Sequence, residues 1–269
     1  MTGTNWMTGA IGVVAIAALG LGLYGLRDTD TPAPAAPVEG ASDPVSDLDR
    51  EILQAEMRRY LLENPEIIME LVSVLESRQT ADAQAVEQQM LRENADQLLD
   101  DGYSFVGGNP EGDVTLVEFL DYQCSFCKRA HPEVASLLAQ DGNIRLIVKE
   151  FPILGPVSET ASRAAMAVLL EQGPDLYETF NDAMMMFPGR LDDAMIDRLA
   201  ERSGVDVAAM RARMDDSDIT RQIAQNKQLA EQLQITGTPT FVLGDTMIRG
   251  YLPAEQMADA VRLTRSAMR

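Results

Sequence analysis

Seven consecutive residues, Val114–Leu120, read Val-Thr-Leu-Val-Glu-Phe-Leu, the apolar and β-branched run of a strand buried on both faces. A polar turn at residues 121–123 follows. From Cys124 a helical period then runs to Leu138, interrupted by Pro132, which should kink the helix. Ile144–Glu150 is the next strand by the same criterion. From about residue 159 to 233 every strong pattern is helical, over 161–170, 176–186, 191–200 and 219–233. Breaks fall at Gly173-Pro174, Pro188-Gly189 and Gly204. Residues 236–243 return to strand, Gly244-Asp245 predicts a hairpin turn into 246–248, and 254–268 is a last amphipathic helix. Ahead of Val114, the glycines at 107, 108 and 112 with Asn109-Pro110 read as a turn.

The N-terminal hundred residues follow other patterns. Residues 1–26 contain no charged side chain, and the last twenty are long and apolar enough to cross a bilayer core of roughly 30 Å. Trp6 and Tyr24 fall near the two ends of this run, where aromatic rings favour the interface. A cleaved signal segment is the competing reading, but the start lacks Lys and Arg. Pro32, Pro34, Pro37 and Pro44 make residues 27–45 a semi-rigid linker. From Ser46 an apolar stripe of Leu48, Ile52, Leu53, Met57, Tyr60 and Leu61 predicts a helix. Asn64-Pro65 starts a second one, with Ile67, Ile68, Leu71, Val72 and Leu75 on its stripe and weaker spacing as far as Leu99. Such a stripe needs a cover, either the downstream domain or further copies of the chain.

Composition narrows the chemistry. The net charge of −20 argues against nucleic acid, whose phosphates are met by clustered Lys and Arg. Cys124 and Cys127 are the two cysteines of the chain. With the single His131 they do not complete a four-ligand zinc site within one chain, so the spacing reads as a redox pair. Two cysteines three apart at a helix start share one face of the first turn. The free N–H groups and the helix dipole there favour a thiolate at Cys124, the species that attacks a disulfide, and Cys127 can then resolve the mixed disulfide. An oxidising compartment such as the periplasm follows from this chemistry.

The segment Glu118-Phe119-Leu120-Asp121-Tyr122-Gln123-Cys124-Ser125-Phe126-Cys127-Lys128-Arg129 resembles the active-site segment of the DsbA-like branch of the thioredoxin superfamily. Gly237-Thr238-Pro239-Thr240-Phe241-Val242 matches the same family around its proline, and residues 60–67 resemble the N-terminal oligomerisation segment of ScsC-like proteins. The resemblance implies an α/β thioredoxin fold with an inserted helical subdomain at about 157–233, preceded by an N-terminal transmembrane helix and a helical arm. The division expected is 1–26 anchor or signal, 27–45 linker, 46–100 arm and 101–269 catalytic domain. The function implied is thiol–disulfide oxidoreductase, oxidase or isomerase, acting on exported proteins, with no cofactor. Unfolded or misoxidised exported proteins would be substrates, a membrane redox partner would reset the cysteines, and residues 46–100 would form a homo-oligomer.

Cys124 is then the nucleophile, Cys127 the resolving thiol, and Pro239 a cis proline beside them. The Thr238 backbone would pair with an extended substrate near Ser125 and Phe126. DsbA carries histidine where this chain has Phe126, which has no donor, so weaker oxidising power is expected. Glu118, inside an apolar strand, is a candidate proton relay for Cys127, with Lys149 as its candidate partner. His131, four residues after Cys127, could tune the thiol. Met184-Met185-Met186 could furnish thioether ligands but fits core packing better. The alternative function is a periplasmic copper(I) carrier using the same two thiolates.

Overall fold

The structure, a computed structural model, describes residues 46–268, so the anchor expected at 1–26 and the linker at 27–45 lie outside the described residues. Among those residues no helix is long and apolar enough to cross a membrane.

The described chain divides after Asn64. The first unit contributes α1 (Asp47–Glu63), whose N-cap Ser46 side chain accepts the Asp49 amide. None of its residues is buried, and Leu48, Ile52, Leu53, Met57, Tyr60 and Leu62 are all exposed.

The second unit runs in the order α2 (Glu66–Glu93), α3 (Ala95–Leu99), β1 (Phe105–Gly108), β2 (Val114–Leu120), α4 (Ser125–Asp141) and β3 (Ile144–Glu150). Then come the helices α5 (Pro156–Gln172), α6 (Pro174–Met186), α7 (Asp193–Arg202), α8 (Val207–Arg213) and α9 (Ser217–Gln232). The hairpin β4 (Thr240–Leu243) and β5 (Thr246–Arg249) and the helix α10 (Ala254–Ala267) complete it. The five strands lie in the order β1-β3-β2-β4-β5, with β2 and β3 parallel and the other pairs antiparallel.

Side-chain alternation along β2 decides which helices each residue meets. Val114, Leu116 and Leu120 join the larger core with α4, α5, α6 and α10. Val117 and Phe119 join the opposite core with Leu91 of α2, Leu98 of α3 and Leu229 of α9. The sheet is therefore covered on both faces, as its nearly continuous burial requires. The helical pattern from 159 onward folds as α5 to α9 between β3 and β4, the insertion expected.

Three local features differ from the expectation. The segment read as a turn contains β1, an edge strand whose Phe105 ring stacks on Tyr177 at 4.5 Å. The pairing with β3 organises it although two of its four residues are glycine, and Gly108 sits at φ 64° with a β-carbon position 2.5 Å from the Ile144 carbonyl. A further helix, α8, lies beyond Gly204, N-capped by Asp206. The strand expected over 236–243 begins at Thr240, directly after the cis Thr238–Pro239 bond.

The second half of α2 is fixed to the edge strand. Glu87 accepts the Met247 amide at 3.1 Å and pairs with Arg249 at 2.6 Å. The first half projects Ile68, Met69, Leu71, Val72 and Leu75 into solvent.

Candidate active site

The helix α4 begins where β2 delivers the chain out of the sheet. Cys124 is its N-cap, in extended backbone conformation, and its Sγ accepts the Cys127 amide at 3.4 Å. Its own amide donates to the Asp121 carbonyl at 3.0 Å. The sulfur approaches the proline-containing motif at residues 237–242, donating to the Thr238 carbonyl at 3.1 Å. The Thr238–Pro239 peptide is cis, and Pro239 is buried. Residues separated by 114 positions thus form one site.

Both cysteines are free thiols, but their surroundings differ. The thiol of Cys124 is pushed down to about 6, first by the hydrogen bond from Cys127. The Thr238 side chain and the backbone amides of Cys127 and Phe126 add to this, together outweighing burial. Cys127 is fully buried, and burial drives its thiol far above the ordinary range, with the hydrogen bond to Cys124 and the Glu118 charge in the same direction. One sulfur is ready to attack at neutral pH, and the other stays protonated until a base takes its proton. Ser125 and Phe126 are exposed at the mouth, Phe126 at 55%.

Glu118 is 3% exposed and has no hydrogen-bond or ion-pair partner among the described residues. Burial raises its carboxyl to about 7. The proposed pairing with Lys149 does not occur. In the parallel register Lys149 stands opposite Phe119 and Glu118 opposite Val148, so the two side chains leave the sheet on opposite faces. Lys149 instead donates to the Gln97 carbonyl at 2.7 Å and to Asp101 at 2.5 Å, which locks the chain after α3 to the central sheet.

His131 follows Cys127 by one turn, and its Nε2 lies 2.8 Å from Asp182 of α6. Met184 and Met185 are buried in the core, while Met186 is 60% exposed, so the three sulfurs do not converge. Lys128, next to Cys127, caps the end of α6 by donating to the carbonyls of Met184 and Phe187 at 3.2 and 2.6 Å.

Two buried carboxylates beside the site escaped the sequence reading. Asp121, fully buried, accepts the amides of Gln123, Ile153 and Leu154 at 2.7, 2.8 and 3.0 Å and the Ser158 hydroxyl at 2.7 Å. It ties the turn before Cys124 to the loop after β3. Glu150 accepts hydroxyls from Tyr122, Tyr177 and Ser162 at 2.8, 2.8 and 2.7 Å, and burial raises its carboxyl to about 7. The available signal was an acidic residue ending each apolar strand, where a charge is costly without partners.

A reactive thiol at a helix start, a shielded thiol one turn on, and a cis proline at the facing strand define a dithiol site of the thioredoxin type. Residues 115–262 match the family described as DSBA-like thioredoxin domain, and the chain belongs to that family. Residues 49–81 match the family described as copper resistance protein ScsC N-terminal domain. A thioredoxin-like oxidoreductase from Silicibacter pomeroyi DSS-3 is 40% identical in sequence, with 64% of this chain and 97% of that one covered at a TM-score of 0.61. Proteus mirabilis ScsC in a transitional conformation is 26% identical, with 83% and 100% covered at a TM-score of 0.62. The Na(+)/H(+) antiporter NhaA 3 of Salinispora tropica is 30% identical over 165 residues, 61% of this chain, and the chain spans 25% of that protein's length.

Proposed function

We propose that this chain is a thiol–disulfide oxidoreductase of exported proteins, working in the periplasm through Cys124 and Cys127. The observation that carries the reading is the position of the Cys124 sulfur, held by the Cys127 amide and set 3.1 Å from the Thr238 carbonyl beside cis Pro239. The Cys124 thiolate attacks a substrate disulfide to give a mixed disulfide, with the Thr238 backbone as the pairing edge for an extended client. Cys127 loses its proton to Glu118 and attacks the Cys124 sulfur, releasing the substrate as thiolate. In the oxidase direction a substrate thiolate attacks Cys124, and Cys127 leaves and takes the proton back. A membrane-bound redox partner resets the pair. The relatives support the compartment, one of them being a periplasmic thioredoxin-like protein of Salmonella enterica, 25% identical with a TM-score of 0.59.

The exposed stripes of α1 and of the first half of α2 supply an oligomerisation arm, and the match of residues 49–81 to the ScsC N-terminal domain supports that use. Several active sites facing one client would suit isomerisation of wrong disulfides.

The test is transfer to reduced and to scrambled ribonuclease. The oxidised chain is expected to restore activity to the reduced form and the reduced chain to the scrambled form. Cys124→Ser abolishes both, and Cys127→Ser accumulates mixed disulfides. Absence of transfer from the oxidised wild-type chain overturns the reading. Copper(I) binding by the two thiolates is the second reading, favoured by the copper-resistance description of the family matched by the arm. Tight copper(I) uptake without disulfide transfer would favour it.

A further inference from the structure

We propose that Arg129, laid against the ring of Tyr251, is a specificity-determining subsite for a carboxylate that the client carries beside its reacting cysteine. The subsite presupposes the disulfide exchange proposed above and favours, among its substrates, cysteines flanked by Asp or Glu.

The guanidinium carbon of Arg129 lies 4.3 Å from the centroid of the Tyr251 ring. Arg129 is exposed near the start of α4, on the stripe that Ser125 begins at the mouth of the site. Tyr251 comes from the segment after β5. Its neighbour Gly250 donates its amide to the Pro239 carbonyl at 2.8 Å, and Pro239 adjoins Thr238, whose carbonyl accepts from Cys124 Sγ at 3.1 Å. The stacked pair is therefore continuous with the backbone edge on which an extended client lies.

The ring is fixed independently of the arginine. Tyr251 donates its hydroxyl to Glu133 Oε1 at 3.0 Å, and the Ala254 amide donates to Oε2 at 3.0 Å. The Ala254 amide first, then the Tyr251 hydroxyl and the Arg129 charge, hold the Glu133 carboxyl below its ordinary range. Both oxygens are thus engaged, and the Arg129 side chain takes no hydrogen bond or ion pair among the described residues. Stacking uses the flat face of a guanidinium. It leaves the N–H groups in the plane, the fork that receives a carboxylate through two parallel hydrogen bonds.

An arginine left in this state runs against the balance of the chain, which has 42 Asp and Glu for 22 Lys and Arg. Elsewhere arginines are set against carboxylates: Arg265 on Asp113 and Asp141, Arg213 on Asp216 and Asp218, Arg249 on Glu87. Lys128, next to Arg129, is committed to the carbonyls of Met184 and Phe187. The field of the whole molecule points the other way. A net charge of −20 and a reacting thiolate both repel an acidic client, so a preference for one requires a local cation.

The test follows attack by the reduced full chain on three short peptides, alike except that the residues on both sides of the single cysteine are Glu, Gln or Lys. Each cysteine carries a pyridyl disulfide. The Cys124 thiolate attacks the peptide sulfur, the mixed disulfide forms, and the pyridyl sulfur leaves with the electron pair of the broken bond and takes a proton from water as thiopyridone. Its absorbance in stopped flow gives the rate. The wild-type chain is expected to react about three- to fivefold faster with the Glu peptide than with the Gln peptide, with the Lys peptide slowest, and the order should flatten as salt is raised. The Gln peptide is the reference within each variant, so a general change in reactivity cancels. Arg129→Gln should place the Lys peptide first, and Arg129→Glu should widen that order. Tyr251→Leu, which keeps the charge and removes the platform, should shrink the preference for Glu.

A wild-type chain that prefers the Lys peptide, or that treats the three alike, overturns the subsite while leaving the proposed function standing. So does a preference for Glu that persists in Arg129→Gln. No thiopyridone release from the wild-type chain overturns the proposed function itself.

Discussion

Glu118 and Glu150 leave neighbouring strands on the same face of the sheet, and both have carboxyls raised to about 7 by burial. They are stabilised differently. Glu150 has three hydroxyl donors, whereas Glu118 has none among the described residues, so its ionised form is the more exposed to the cost of a dry site. A carboxyl raised on folding supports the fold fully below its unfolded pKa and loses that support as pH rises through the folded value. Glu118→Gln is therefore expected to match the wild type in acid and to exceed it above pH 7 by about 3 kcal/mol. Urea melts of the oxidised chain at the two extremes check this; equal gaps at both would contradict it. A proton-accepting group at the foot of the active site thus costs stability at the pH where it works.

The long helix α2 divides its length between two tasks. Leu91, 3% exposed, packs beneath the sheet, and Glu87 holds the edge strand. Leu71 and Leu75, 57% and 55% exposed, belong to a stripe with no cover among the described residues. An exposed leucine contributes little to a monomer, and a buried one contributes its transfer energy plus the cavity it would leave. Leu91→Ala should therefore lower the stability of the chain by about 2–5 kcal/mol without changing its mass in solution. Leu71→Asp should leave the unfolding transition of the catalytic domain in place and reduce the oligomer proposed through the arm to a monomer. Light scattering coupled to size exclusion separates the two effects. An undisturbed assembly in Leu71→Asp would remove the stripe from the interface.

At the scale of the molecule, the redox state and the stability of the fold are one equilibrium seen from two sides. The Cys124 thiol is lowered to about 6 in the folded chain, so the reduced form gains stability that the oxidised form lacks. That gain is complete above the ordinary thiol pKa and is lost as pH falls through about 6. The unfolding midpoint of the reduced chain should stand above that of the oxidised chain near pH 8, and the gap should narrow toward pH 5. A gap independent of pH would mean that the thiolate is not what favours the reduced state. The potential of the pair, read against glutathione, is then expected to lie above that of thioredoxin, roughly −270 mV, and toward that of DsbA, roughly −120 mV.

Much of the site could be read along the chain because its parts are local. The strand before Cys124, the three-residue cysteine spacing and the helical insert each express a period or a turn chemistry within a few neighbours. Glycine-rich Phe105–Gly108 carried no such signal, and its strand exists because β3 offers an unpaired edge. The partner of Lys149 was beyond the sequence for a related reason. Whether it faces Glu118 or Asp101 depends on the register of β2 against β3, which a linear pattern does not set. The sequence by itself determined which residues could do redox chemistry. Tertiary structure decided which of them meet, because the approach of Cys124 to Thr238 and the isolation of Glu118 are products of strand pairing and layer packing across more than a hundred residues.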